Sequence, residues 1–112
     1  MSRYLIIGSG AQGGAAASIA ARDDDIEKII IGDINLELAE KVKKHIGSHK
    51  IEVMHLDASD REKVKQVAEK VDIVLNLTHL RFNENIMRAC MQANTHYLDT
   101  AFMDPIWTML QT

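Results

Sequence analysis

Gly8-Ser9-Gly10-Ala11-Gln12-Gly13 closes the first hydrophobic run of the chain, and Asp33 closes the second, twenty positions after Gly13. Glycines at the first, third and sixth places of a strand-to-helix turn suit a pair of phosphates. The first permits the tight turn, the second lets the backbone approach a pyrophosphate, and the third lets helix and strand pack closely. Free N–H groups opening the helix then face the phosphates, helped by the positive end of the helix dipole. A carboxylate placed as Asp33 is accepts hydrogen bonds from both hydroxyls of a ribose. Glycine spacing alone is a weak signal. Set between a strand and a helix, with an acid at this distance, it describes a dinucleotide site.

Asp33 also discriminates. A 2′-phosphate would put like charge beside it and forfeit the ribose hydrogen bonds, so NAD is expected over NADP. Lys41 and Lys43, a turn or two away, are the cations able to soften that preference. An N-cap role for Asp33 competes with the ribose role, but Asn35 fills the cap more naturally. A Walker phosphate loop is excluded because no Gly-Lys-Ser/Thr ending follows the glycines. S-adenosylmethionine is the minor alternative ligand, disfavoured because Leu5-Ile6-Ile7 carries no acid before the turn.

Further polar residues sit where strands end. Asp57 closes the third strand, where a carboxylate reaches an adenine amino group or is simply a turn residue, and Ala58 lines the base pocket. Asn76 and Thr78 close the fourth, at the carboxyl edge where ligands of such sheets lie. His79 is near enough for acid–base work, yet it has no nucleophile or second base beside it. His96 and Asp99 form neither a metal site nor a triad without a third member. His45, His49 and His55 lie on separate elements with no ligand spacing.

The elements that must position these residues alternate along the chain. Strands are expected at Tyr4–Ile7, Ile29–Gly32, Ile51–Leu56, Val71–Leu77 and His96–Leu98. Helices are expected at Gln12–Arg22, Asn35–Ile46, Asp57–Lys70 and Asn83–Ala93. The first is packed closely through Gly14, Ala15, Ala16 and Ala17. The second turns Leu36, Ala39, Val42 and Ile46 inward and stops at Gly47-Ser48. The third is capped by Ser59 with Glu62 completing a capping box, over Val64, Val67 and Ala68. The fourth faces inward through Ile86, Ala89, Cys90 and Ala93. This βα alternation means a parallel sheet covered on both faces, an α/β, Rossmann-like doubly wound sheet in three layers with strand order 3-2-1-4-5.

Bulk properties agree with that class. A chain of 112 residues has room for one domain, and 46% hydrophobic content with one proline is ordinary for a globular protein. A net charge of -3 with interspersed signs leaves no basic face for nucleic acid. No apolar stretch approaches the roughly 20 residues of a membrane span, and the start does not read as a signal peptide. The lone Cys90 excludes an internal disulfide and suits a cytoplasmic location. At the end, Asp104-Pro105 followed by Ile106, Trp107, Met109 and Leu110 reads as the first turns of a helix. That helix either docks on this domain or begins the next part of a larger protein.

The glycine loop, the Asp57-Ala58-Ser59-Asp60 stretch, the strand Asp72-Ile73-Val74-Leu75-Asn76 and the ending His96-Tyr97-Leu98-Asp99-Thr100 resemble the amino-terminal cofactor domain of saccharopine dehydrogenase-like proteins. The resemblance covers nearly the whole chain. It implies an NAD(P)-dependent oxidoreductase that makes or breaks a carbon–nitrogen bond of an amino acid or amine through an imine. It further implies that Gly10, Ala11, Gln12 and Gly13 touch the pyrophosphate, Asp33 the ribose, Asp57 and Ala58 the adenine side, and Asn76 and Thr78 the nicotinamide half. Members of that family are several hundred residues long, so a substrate domain bearing the catalytic groups is expected beyond this one. A homodimer is a further expectation. The competing class is a nucleotide-sensing regulatory domain, which shares the fold and the glycines and performs no redox step.

Overall fold

The computed structural model describes residues 2–99. Five parallel strands, β1 (Ser2–Ile7), β2 (Ile26–Asp33), β3 (Ile51–His55), β4 (Ile73–Asn76) and β5 (His96–Asp99), form one sheet in the order β3-β2-β1-β4-β5. Helices α1 (Ala11–Ala21), α2 (Leu36–Ile46), α3 (Arg61–Ala68) and α4 (Asn83–Ala93) make the crossovers. The doubly wound topology read from the sequence is therefore the one observed. The end segment from Thr100 onward, including Asp104 to Leu110, lies outside the described residues.

Strands covered on both faces must be apolar on both, which is why Leu5-Ile6-Ile7 and Ile29-Ile30-Ile31 run without a polar break. Leu5, Ile7 and Ile30 point to one core with Val64, Val67 and Ala68 of α3 and Ile86, Ala89 and Cys90 of α4. Ile6, Ile29 and Ile31 point to the other, with Ala17 and Ala20 of α1 and Ala39 of α2. Each fully buried leucine or isoleucine contributes about 2 kcal/mol of transfer free energy to these two layers. Among the described residues no helix is long and apolar enough to cross a membrane.

Several boundaries differ from expectation for local reasons. Asp60, not Ser59, caps α3, its carboxylate accepting from Lys63 N–H at 3.2 Å. Ser59 instead donates its hydroxyl and its N–H to Asp57 Oδ1, at 2.7 and 2.9 Å, so the helix starts later and the capping box on Ser59 does not form. Asn35 does cap α2, accepting from Leu38 N–H. Leu36 at the first position of that helix stays 40% exposed, whereas Ala39 is fully buried. Asp72 falls just outside β4, and its carboxylate accepts Arg3 N–H at 2.8 Å, tying the entry of β4 to β1. A 3-10 turn at Leu80–Phe82, unmarked in the sequence, leads into α4.

Cys90 is 1% exposed, and burial pushes its thiol up to about 11 from an ordinary 9.0. A raised value in the folded state means its share of stability is complete below pH 9.0 and is lost as pH climbs towards 11. At pH 8 a thiol reagent is expected to label Cys90 only through opening of the fold, at a rate that rises with urea. Complete labelling of the native protein within seconds would contradict this burial.

Candidate dinucleotide-binding site

In this strand order β1 lies between β2 and β4, with the chain leaving β1 towards one face and β4 towards the other. Such a switch point opens a crevice at the carboxyl ends of the strands, and ligands of these sheets lie there. Gly8 turns the chain at that point with φ +103°, a conformation side chains rarely adopt, and its N–H donates to Gly32 O at 2.8 Å. Gly13 lies so close to the turn that a Cβ would stand 1.9 Å from the Gly8 carbonyl oxygen. Gly10 is the opposite case, since a Cβ there meets no atom within 4 Å. The space beside Gly10 is open towards the crevice.

Gly10 is also the N-cap of α1. It supplies no side-chain hydrogen bond, and the first turn contains no acid. The N–H groups of Ala11, Gln12 and Gly13, which helix geometry leaves without internal acceptors, face outward at a positive dipole end. This donor set and the empty space over Gly10 fit a pyrophosphate.

A cleft of about 230 Å³ runs across the crevice and is lined by Gly8, Gly10, Asp33, Asp57, Ala58 and Thr78. The loops after β1, β2, β3 and β4 thus bring six of the sequence candidates together. Ala11 lines a neighbouring groove of about 540 Å³ between α1 and α2, which also holds Lys41 and His45. Gln12, Gly13 and Asn76 line neither space. Of the two lysines near Asp33, Lys41 faces this groove, while Lys43 lies beside Gly47 and Ser48 at the other end of α2.

Five lining residues, Ile7, Ser9, Ile34, Leu56 and Phe82, were not among the candidates read from the sequence. Ile34, 64% exposed, and Phe82 give the cleft apolar walls, and Ser9 lies at its floor, 2% exposed. Ile34 had one signal: an isoleucine just past the end of β2, outside the pattern of either flanking element. Phe82 carries the Arg81 guanidinium over its ring at 4.7 Å.

The carboxylate of Asp33 is engaged by the protein. Its Oδ2 accepts Ser9 N–H at 2.7 Å and the Ser9 hydroxyl at 2.5 Å, and its Oδ1 accepts Asn35 N–H at 2.8 Å. Asp33 therefore ties the glycine loop to the end of β2. Asp57 makes an analogous turn with Ser59, whose hydroxyl first and N–H second hold its carboxyl below the usual carboxylate range.

Asn76 reaches the expected strand end but is 1% exposed. Its Nδ2 donates to Asn83 Oδ1 at 2.7 Å and to Tyr97 Oη at 3.0 Å. Its Oδ1 accepts from Thr78 N–H at 3.1 Å and from the Thr78 hydroxyl at 2.7 Å. Two donors and two acceptor sites are all this side chain has. A direct bond from Asn76 to a ligand would have to break one of the four. Tyr97 in turn donates to Asp99 at 2.5 Å, and burial pushes its phenol far above the ordinary tyrosine value. His79 accepts Arg81 N–H at 3.1 Å and so closes the 3-10 turn. Among the described residues no group of His, Cys, Asp and Glu is arranged to hold a metal ion.

Comparison with known proteins agrees with this geometry. Residues 4–110 match the sequence model of the family described as "Saccharopine dehydrogenase NADP binding domain". The chain is 31% identical over 108 residues to carboxyaminopropylagmatine dehydrogenase of Synechocystis sp., covering 94% of this chain and 27% of that protein. It is 32% identical over 108 residues to carboxynorspermidine synthase of Vibrio cholerae, covering 87% of this chain and 26% of that protein. The chain thus spans about a quarter of the length of these relatives. In fold it superposes on apo saccharopine dehydrogenase (L-Glu forming) from Saccharomyces cerevisiae with a TM-score of 0.82 and 23% identity, over 98% of this chain and 24% of that one. A short-chain dehydrogenase/reductase from Veillonella parvula, solved in complex with NADP, gives 0.69 and 13%, over 88% and 46% of the two chains. The glycine loop, the strand order and the match from end to end make this chain a member of the saccharopine dehydrogenase NADP-binding domain family.

Proposed function

We propose that this chain is the cofactor-binding domain of an oxidoreductase that makes or breaks a carbon–nitrogen bond of an amino acid or amine. The observation that carries the reading is the convergence of Gly8, Gly10, Asp33, Asp57, Ala58 and Thr78 on one cleft at the switch point. A nicotinamide dinucleotide bound there supplies hydride chemistry. The N–H groups of Ala11, Gln12 and Gly13 hold the pyrophosphate. Asp33 borders the ribose, Asp57 and Ala58 the adenine side, and Thr78 the nicotinamide half. Asn76 holds Thr78 in place rather than touching the ligand. Substrate binding and proton transfer belong to residues beyond this domain, in keeping with relatives about four times as long.

Preference between the two dinucleotides rests on Asp33. The sequence alone favours NAD, on the premise that both carboxylate oxygens await a ribose diol. Three protein donors already on that carboxylate weaken the premise, and Lys41 in the adjoining groove offers a cation to a 2′-phosphate. The description of the family names NADP. NADP is therefore the cofactor we assign, with NAD as the weaker ligand.

Titration of the chain with NADP, NAD and S-adenosylmethionine tests this. Both dinucleotides are expected to bind, NADP more tightly, and Lys41→Ala is expected to weaken NADP about fivefold while leaving NAD unchanged, as the loss of one surface charge contact of about 1 kcal/mol. The chain alone is expected to turn over little with lysine, saccharopine or related amines. Tight binding of S-adenosylmethionine with none of either dinucleotide would sink the assignment, and efficient turnover by this chain would sink the division of labour.

A further inference from the structure

Ser9 is the residue of the glycine loop that the three glycines leave without a task. It is 2% exposed, and both its hydroxyl and its N–H point at Asp33 Oδ2. A carboxylate has about four lone-pair positions. Ser9 takes two of them and Asn35 N–H a third, so a ribose diol seeking two acceptors meets one vacancy. Each donor also stabilises the negative charge on the oxygens and lessens its action on a neighbour.

We propose that Ser9 sets cofactor preference through Asp33: its hydroxyl occupies and screens the carboxylate, removing most of the advantage of a free 2′-hydroxyl and easing the entry of a 2′-phosphate. The inference rests on the assignment of the cleft to a nicotinamide dinucleotide. Ser9 is a positioning residue, since it acts on the ligand through another side chain. Backbone and hydroxyl have separable parts. The N–H bond to Asp33 is a backbone bond that alanine or cysteine at position 9 retains, keeping the loop tied to β2, while the hydroxyl bond is removed by alanine.

The test is the ratio of Kd values for NADP and NAD, measured by titration on the wild type, Ser9→Ala, Asp33→Asn and the double variant. Ser9→Ala uncovers a lone pair and leaves the carboxylate less screened. NAD is expected to bind more tightly relative to NADP, with the ratio moving about tenfold towards NAD, the size of one charge-assisted hydrogen bond. In the Asp33→Asn background the same substitution is expected to leave the ratio unmoved, because the charge it acts through is gone. Ser9→Cys, close in size but a weak donor, is expected to move the ratio in the same direction should alanine loosen the fold. The rise in Tm with each dinucleotide reads the same ratio without any assay of activity. An equal loss of both affinities in Ser9→Ala, with an unchanged ratio, would mean that Ser9 only supports the loop and would overturn the proposal. Binding of neither dinucleotide by the wild type would overturn the reading of the cleft itself, a result distinct from an unmoved ratio.

Discussion

Gly13→Ala is expected to destabilise the chain by about 3 kcal/mol or more and to abolish dinucleotide binding. The added methyl carbon would stand 1.9 Å from the carbonyl oxygen of Gly8 and 2.8 Å from its carbon. No rotamer relieves that contact, because both partners are backbone. Either α1 lifts from β1 or the turn at Gly8 opens. Lifting α1 uncovers Ala17 and Ala20, which seal the core above Ile6, and opening the turn breaks the Gly8 N–H bond to Gly32 O. Gly10→Ala separates binding from folding. The backbone there has an ordinary φ of -67°, and the new Cβ meets nothing within 4 Å. Its Tm is expected to stay within about 3 °C of the wild type, and affinity for NADP to fall at least tenfold as the methyl occupies the pyrophosphate's approach. Equal Tm values for Gly13→Ala and the wild type in urea or heat unfolding would refute the packing argument. Undiminished affinity in Gly10→Ala would refute the placement of the phosphates.

These two glycines show what a sequence carries and what it leaves out. The spacing of Gly8, Gly10 and Gly13 expresses covalent and steric limits that act within a few residues, so it is visible without a fold. The same holds for β1 to β5 and α1 to α4, whose order follows from periods of hydrophobicity and from glycine breaks. Asp33 was visible too, as an acid at a strand end, but its partners were not. A carboxylate's vacancies depend on which donors the tertiary structure brings to it, and Ser9 lies 24 positions away in sequence. Asn76 illustrates the same limit, because its bond to Tyr97 spans 21 positions. A polar side chain at the carboxyl edge of a strand has the same spelling whether it faces a ligand or closes a buried network. Ser59 and Asp60 are a subtler miss. Both are good caps, and the choice fell to Asp60 once Asp57 had claimed Ser59 for its own turn.

Asn76→Ala follows from that buried network and carries the other large effect. The substitution removes two donors and two acceptor sites at a position 1% exposed, stranding Asn83 Oδ1 and the N–H of Thr78 and leaving the Thr78 hydroxyl only its long bond to His79 O at 3.4 Å. Buried groups left without partners cost about 1–3 kcal/mol each, partly offset where Thr78 turns towards water. A loss of about 3 kcal/mol is expected, lowering Tm by more than about 10 °C in a domain of this size. The effect extends to binding, because Asn76 is what holds Thr78 at the rim of the cleft. Affinity for NADP is expected to drop about tenfold in the fraction that stays folded. Tyr97→Phe provides the contrast: it removes one partner of Asn76 and leaves the Asn83 and Thr78 bonds standing. Its cost is expected near 1 kcal/mol, with affinity unchanged. Since Asn76 and Tyr97 bond directly, the double variant should lose less than the two single losses added together. If Asn76→Ala weakened binding while stability stayed within about 0.5 kcal/mol of the wild type, Asn76 would belong among the residues that touch the cofactor, and its place as the keystone of the β4–β5 network would be lost.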